Sequence, residues 1–289
     1  MRKLFFALGA GIIFILLVWI GMFVPQERGS AKEVSFLVER GEGTRDIAMH
    51  LEQEGLIPST PLFRLFVLTT GISSRLQAGT YIFSPAMSPF TIARKLASGD
   101  VAKEHITIIE GWTIEDIAIY FKEKELFDAA DVLAYANFEG YLFPDTYRIT
   151  RDMEIKEVIE RMLQTFEEKI PAQWREEIER QQRDFSDVVI LSSILEKELQ
   201  VFEDKKNAAD VLLKRLAIGM ALQVDAAPIT YEERGFPEKP IANPGLESIE
   251  AAVYPTKNPY FYYLSTREGE KIFYQTLQEH NQAKAQYLR

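Results

Sequence analysis

The longest unbroken apolar stretch is Leu4–Val24, LFFALGAGIIFILLVWIGMFV, which carries no charge. A helix needs roughly 20 such residues to cross the hydrocarbon layer of a bilayer. Arg2 and Lys3 precede it, so the excess of positive charge keeps the N-terminus cytoplasmic and sends the remainder across. A cleaved leader would have a shorter apolar region, about 7–15 residues, ending in a small-x-small site. This stretch instead exits through Phe23, Val24, Pro25, Gln26 and Glu27. An uncleaved single-pass anchor over residues 1–25 is expected, followed by a polar tether over 26–32.

Beyond the tether the pattern echoes itself. VERGEGTRDIAMHLEQEGLI (Val38–Ile57) returns as IIEGWTIEDIAIYFKEKELF (Ile108–Phe127), with Gly41 matching Gly111 and Asp46-Ile47-Ala48 matching Asp116-Ile117-Ala118. Each copy predicts a short strand, a glycine turn and an amphipathic helix. After the first copy, helices near Pro61–Thr70 and Pro89–Ser98 flank a strand near Gly79–Phe83, which makes residues 33–105 a small α+β module. Residues 106–289 form a second, mixed α+β domain. A polar helical stretch over Asp152–Arg180 should break at Pro171. In Ser186–Leu199, SDVVILSSILEKEL, apolar side chains point nearly all round, so this helix is buried, with Ser186 as its cap. Leu246–Val253 predicts another helix, and Pro259–Ser265 an aromatic core strand. A polar helix carrying His280-Asn281 closes the chain.

Composition narrows the chemistry. A chain of 289 residues with 47% hydrophobic and 26% charged residues can build one large or two modest cores. The formal charge of -10 speaks against nucleic acid as a partner. There is no cysteine, and the three histidines (His50, His105, His280) include no i,i+4 pair. Neither a metal site nor a Ser-His-Asp relay is indicated, and no cofactor is called for.

Four segments hold candidate chemistry. EGYLFPDTY (Glu139–Tyr147) sets rings at Tyr141, Phe143 and Tyr147 beside carboxylates at Glu139 and Asp145. Pro144 excludes a helix interior or a central strand. Such a loop can stack sugar rings and bind their hydroxyls, or can simply pin itself to the core. The buried helix ends in Glu196 and Glu198, two acids where desolvation should raise the pKa of whichever faces inward; helical geometry alone does not choose between them. Gln223 and Asp225 project from an extended piece. PIANPG (Pro240–Gly245) sets Asn243 at a helix start, where it either holds a ligand or caps the helix.

Taken in order, the anchor, EGYLFPDTY, ILSSILEKE, IGMALQVD, PIANPG, SIEAAVYPTKNPYFYYLS and QEHN resemble the MltG (YceG-like) family of membrane-anchored endolytic murein transglycosylases. Residues 33–105 resemble a LysM-like module, a small fold that implies binding of N-acetylglucosamine-containing glycans. The resemblance implies cleavage of the MurNAc–GlcNAc β-1,4 bond of nascent peptidoglycan to leave a 1,6-anhydro-MurNAc end. It also implies peptidoglycan synthases as neighbours, and a catalytic domain on the outer side of the cytoplasmic membrane. It sets the catalytic role on Glu196, the first acid of Glu-Lys-Glu, with Glu139, Asp145, Gln223, Asp225 and Asn243 lining the cleft and Tyr141 and Tyr147 as binding rings. One acid suffices for this reaction, because the substrate's own C6 hydroxyl is the nucleophile and its effective molarity is high. Ordinary glycosidases need two carboxylates, about 5–5.5 Å or 6.5–9.5 Å apart. The chain departs from the family at Val224 and Ala226, where Thr and Pro are usual, and in a short segment around Gly235–Lys239. A hydrolytic muramidase using Glu139, Asp145 or Asp225 as second acid, and a non-catalytic glycan-binding scaffold, are the alternatives.

Overall fold

Alternation in Val34–Val38 (β1) turns Val34, Phe36 and Val38 inward and Ser35 and Leu37 outward, as a half-buried strand requires. This computed structural model describes residues 21–267 and 269–287. The expected membrane-crossing stretch lies outside the described residues up to residue 20. Among the described residues, no helix is long and apolar enough to cross a membrane.

The described residues up to His105, together with Arg148–Met153, form one unit; Ile106–Tyr147 and the residues from Glu154 onward form the other. In the first unit β1 pairs antiparallel with β2 (Gly79–Phe83), Val34 opposite Phe83 and Val38 opposite Gly79. Between them run α1 (Thr44–Gln53) and α2 (Thr60–Thr69), whose Ile47, Leu51, Phe63 and Phe66 are buried. Helix α3 (Pro89–Ser98) starts on Ser88, whose Oγ accepts from Thr91 N at 3.2 Å, and stops at Gly99 with φ 65°. Only glycine takes that left-handed turn without strain. Arg148–Met153 belongs to this unit although it follows the second copy of the repeat, a return the linear pattern does not signal.

The second unit opens with the repeat's second copy. Strand β3 (Glu104–Thr107) pairs with β4 (Thr146–Ile149), and each strand has residues assigned to both units. Between them lie α4 (Ile114–Glu123), begun by a reciprocal Thr113–Asp116 capping box, and the short α5 (Ala129–Leu133). The predicted break at Pro171 separates α6 (Ile155–Lys169) from α7 (Ala172–Arg180). Helix α8 (Phe185–Glu198) is the hub. It buries every residue from Val188 to Leu195, and its start falls at Asp184 rather than Ser186. Around it pack α9 (Phe202–Ala217) and α10 (Leu246–Val253). The antiparallel pair β5 (Tyr262–Ser265) and β6 (Lys271–Tyr274) and helix α11 (Leu277–Tyr287) complete the unit. Both units are mixed α+β.

Candidate active site

The site is built on the last turn of α8. Side chains two residues apart on a helix point about 200° apart, so Glu196 and Glu198 leave α8 on different sides.

Glu196 faces protein. Its Oε1 is 3.2 Å from Lys205 Nζ on α9, and its Oε2 accepts from Gly245 N at 2.9 Å and Ser248 Oγ at 2.7 Å. The two side chains of the ion pair are 10% and 3% exposed, glutamate and lysine respectively. Gly245 is the N-cap of α10 and has no side chain of its own to cap with. Glu196 therefore supplies, from another helix, the acceptor and the negative charge that a helix start favours. Three donors, one an ammonium, take up its oxygens. Glu110 lies on the same glycine, since a Cβ on Gly245 would come 2.0 Å from Glu110 Oε1. Burial, then the neighbouring Glu196, push the Glu110 carboxyl above its ordinary pKa. In the sequence, Glu110 is marked only by its place just before Gly111 in the repeat.

Glu198 faces a cavity of about 600 Å³. Its Oε1 accepts from Ala226 N at 2.7 Å, which leaves its other oxygen uncommitted among the described residues. Gln223 and Asp225 line the same cavity. They arrive together because burial alternates over residues 222–225, with Leu222 and Val224 buried and the two polar residues exposed. Gln223 has φ 51°, unusual for a residue with a side chain. It is held there by its N–H to Thr230 O at 3.1 Å and by Val224 N to Thr230 Oγ1 at 3.0 Å. Tyr231 OH donates to Asp225 Oδ1 at 2.6 Å, a bond that, with burial, pushes the phenol up to about 12. Tyr262 and Tyr263 of β5 form part of the wall, so this strand faces the cavity instead of serving only as core. Burial drives the Tyr263 phenol upward. His280, 8% exposed, stacks on Tyr262 at 5.4 Å, and burial first, then Lys284 and Arg215, lower its pKa.

The remaining expected site residues lie away from this cavity. Asn243 is fully buried. Its Oδ1 accepts from Gly140 N and Leu142 N at 2.8 and 3.0 Å, and its Nδ2 donates to Trp112 O and Glu139 Oε1 at 2.9 and 3.0 Å. Glu139 Oε2 accepts from Ile114 N at 3.0 Å, and burial raises its pKa. The two residues clip EGYLFPDTY to the PIANPG turn and to the start of α4. Tyr147 is buried, with its OH donating to Phe143 O at 2.5 Å. Tyr141 packs on Phe166 at 5.2 Å, and Asp145 pairs with Lys169 at 3.2 Å. Of the eight expected site residues, only Gln223 and Asp225 line the cavity with Glu198. Among the described residues, no group of three or more acidic or histidine side chains is placed to hold a metal ion.

The model of the YceG-like family matches residues 36–229 and 229–286, most of the chain. The chain belongs to the YceG-like family. It is 27% identical over 316 aligned positions to a Bacillus subtilis protein named endolytic murein transglycosylase, covering 91% of this chain and 87% of that one. A Streptococcus pneumoniae protein of the same name is 24% identical over 94% of this chain, which spans 61% of that protein's length. A crystal structure of a yceG-like protein from Listeria monocytogenes aligns with a TM-score of 0.57 and 29% identity, covering 88% of this chain and all of that one. In this YceG-like chain the segments ILEKE and LQVD meet at one cavity, whereas EGYLFPDTY and PIANPG meet each other.

Proposed function

We propose that this protein is an endolytic murein transglycosylase, and that Glu198 is its acid. The observation carrying the assignment is the placement of Glu198, Gln223 and Asp225 around one cavity large enough for saccharide units, while Glu196 is locked among Lys205, Gly245 and Ser248. Glu198 delivers a proton to the glycosidic oxygen as the bond to C1 breaks. The resulting carboxylate then takes the proton of the C6 hydroxyl as O6 bonds to C1. The C6 hydroxyl sits on the same sugar ring, so no activated water is needed. Gln223 and Asp225 bind sugar hydroxyls, and the rings of Tyr262 and Tyr263 provide faces for the CH surface of the strand.

The same reading makes residues 4–24 a single-pass anchor in the cytoplasmic membrane, with residues 26–32 as tether and the catalytic domain, residues 106–289, outside. Residues 33–105 act as a LysM-like module on glycan; the β–α–α–β order of β1, α1, α2 and β2 supports this reading. Cleavage near the membrane ends nascent strands beside the synthases that extend them.

Asp225 in the same cavity favours one rival, hydrolysis by a second acid. Mass spectrometry of soluble fragments from intact sacculi separates the two. The transglycosylase leaves 1,6-anhydro ends, and a muramidase leaves products one water heavier. Glu198→Gln should lower anhydro-product formation by about 10²–10⁴-fold. Undiminished release from that variant would remove Glu198 from the chemistry.

A further inference from the structure

We infer that Arg215 is the recognition point for a carboxylate carried by the glycan strand, an inference that rests on the Glu198 cavity being the site of cleavage. Arg215 lies in the last turn of α9, is 4% exposed, and lines that cavity. Its Nε donates to Phe261 O at 2.8 Å, and its Nη1 donates to Leu222 O. The guanidinium lies 5.3 Å from the centre of the Tyr262 ring. Among the described residues no carboxylate forms an ion pair with it, and Nη2 has no acceptor. A guanidinium offers five N–H donors and does not lose its charge, and a buried charge without a counter-charge is costly. Two carbonyls and a ring hold this one in place without neutralising it. Burial lowers its pKa, and Tyr263, Tyr262 and Tyr231 act against that.

The cavity is thus two-sided. Glu198, Gln223 and Asp225 come from the end of α8 and the segment 222–225. Arg215, His280 and Lys284 come from α9 and α11, and burial first, then the neighbouring Lys284 and Arg215, lower the His280 pKa. A neutral sugar polymer would use the acidic side alone. A strand with an anionic substituent can set its glycosidic bond at Glu198 and its carboxylate on the open nitrogen of Arg215, in the charge-assisted geometry that arginine favours. In murein that carboxylate is either the free lactyl group of a peptide-free strand or a carboxylate of the stem peptide.

The test is calorimetric binding to the full chain carrying Glu198→Gln. The ligands are peptide-free and peptide-bearing strands, each with free carboxylates and after conversion to methylamides. Neutralisation should weaken binding about tenfold or more, and by less than twofold once Arg215→Gln is added. A charge effect confined to peptide-free strands identifies the lactyl group; one confined to peptide-bearing strands identifies the stem. Arg215→Lys, which keeps the charge, should retain part of the preference and guards against a misfolded glutamine variant. Equal affinity for charged and neutralised strands, or a preference that survives Arg215→Gln, overturns the assignment. Wild-type protein that releases no anhydro-fragments would overturn the activity itself. Release without charge preference would overturn Arg215 alone.

Discussion

Replacing Glu196 by alanine should unfold the protein sooner and leave the chemistry standing. The substitution strips Lys205, 3% exposed, of its partner and removes the acceptor of Gly245 N and Ser248 Oγ. Breaking a buried ion pair on one side costs about 3–5 kcal/mol, and the two orphaned donors overlap with that figure because they lose the same carboxylate. For a chain of this size each kcal/mol is worth roughly 2–4 °C, so the melting temperature should fall by about 10 °C. Lys205→Met should cost less, since Gly245 N and Ser248 Oγ still serve the remaining carboxylate. Combining Lys205→Met with Glu196→Gln should recover much of the loss, because no unpaired charge then stays buried. Circular dichroism melts supply the first readout, and anhydro-product release at 25 °C, where the variant remains folded, supplies the second. A Glu196→Ala protein with unchanged melting temperature and a hundredfold loss of product would return the catalytic role to Glu196.

Three further outcomes rest on other buried or paired residues of the same unit. Asp210 is buried and bonded to Lys214, Asn258 N and Lys257; burial works against the anion, but these partners together hold the carboxyl below its ordinary pKa. Its stabilising contribution is full above the unfolded value of about 3.9 and is lost as pH falls through the lower folded value, so Asp210→Asn should flatten the acid limb of a stability–pH curve measured by urea unfolding. Gly140 has φ 89°, and a Cβ there would come 2.5 Å from Pro240 Cβ and Cγ; Gly140→Ala should cost about 2–4 kcal/mol in the same unfolding assay. Tyr231→Phe frees Asp225 from its 2.6 Å partner; strand KM should rise about tenfold with kcat within a factor of two, measured by initial rates on purified strands.

What could be read in the chain and what could not divide along one physical line. Periodicity reports that a side chain is buried or repeated, so the break at Pro171, the buried middle of α8 and the strand–turn–helix copies were legible. It does not report what stands opposite. In α8 every side is apolar, so nothing near Glu196 and Glu198 distinguishes the two acids. The groups that do so are Lys205 on the next helix, Gly245 and Ser248 far along the chain, and the Ala226 amide. The same blindness extends to the rings. EGYLFPDTY has the alternation of aromatics and acids that suits a sugar, yet Asn243 fastens the loop inward, Tyr147 is buried and Tyr141 packs on Phe166. PYFYYLS has the density of a core strand, yet Tyr262 and Tyr263 stand on the cavity wall. Lys205 makes the point most sharply. A lysine in a helix marked FEDKKNAAD has the pattern of a solvated face, with Lys206 beside it. In the fold, Lys205 is the cation that neutralises Glu196, and that pairing leaves Glu198 as the α8 acid facing the cavity.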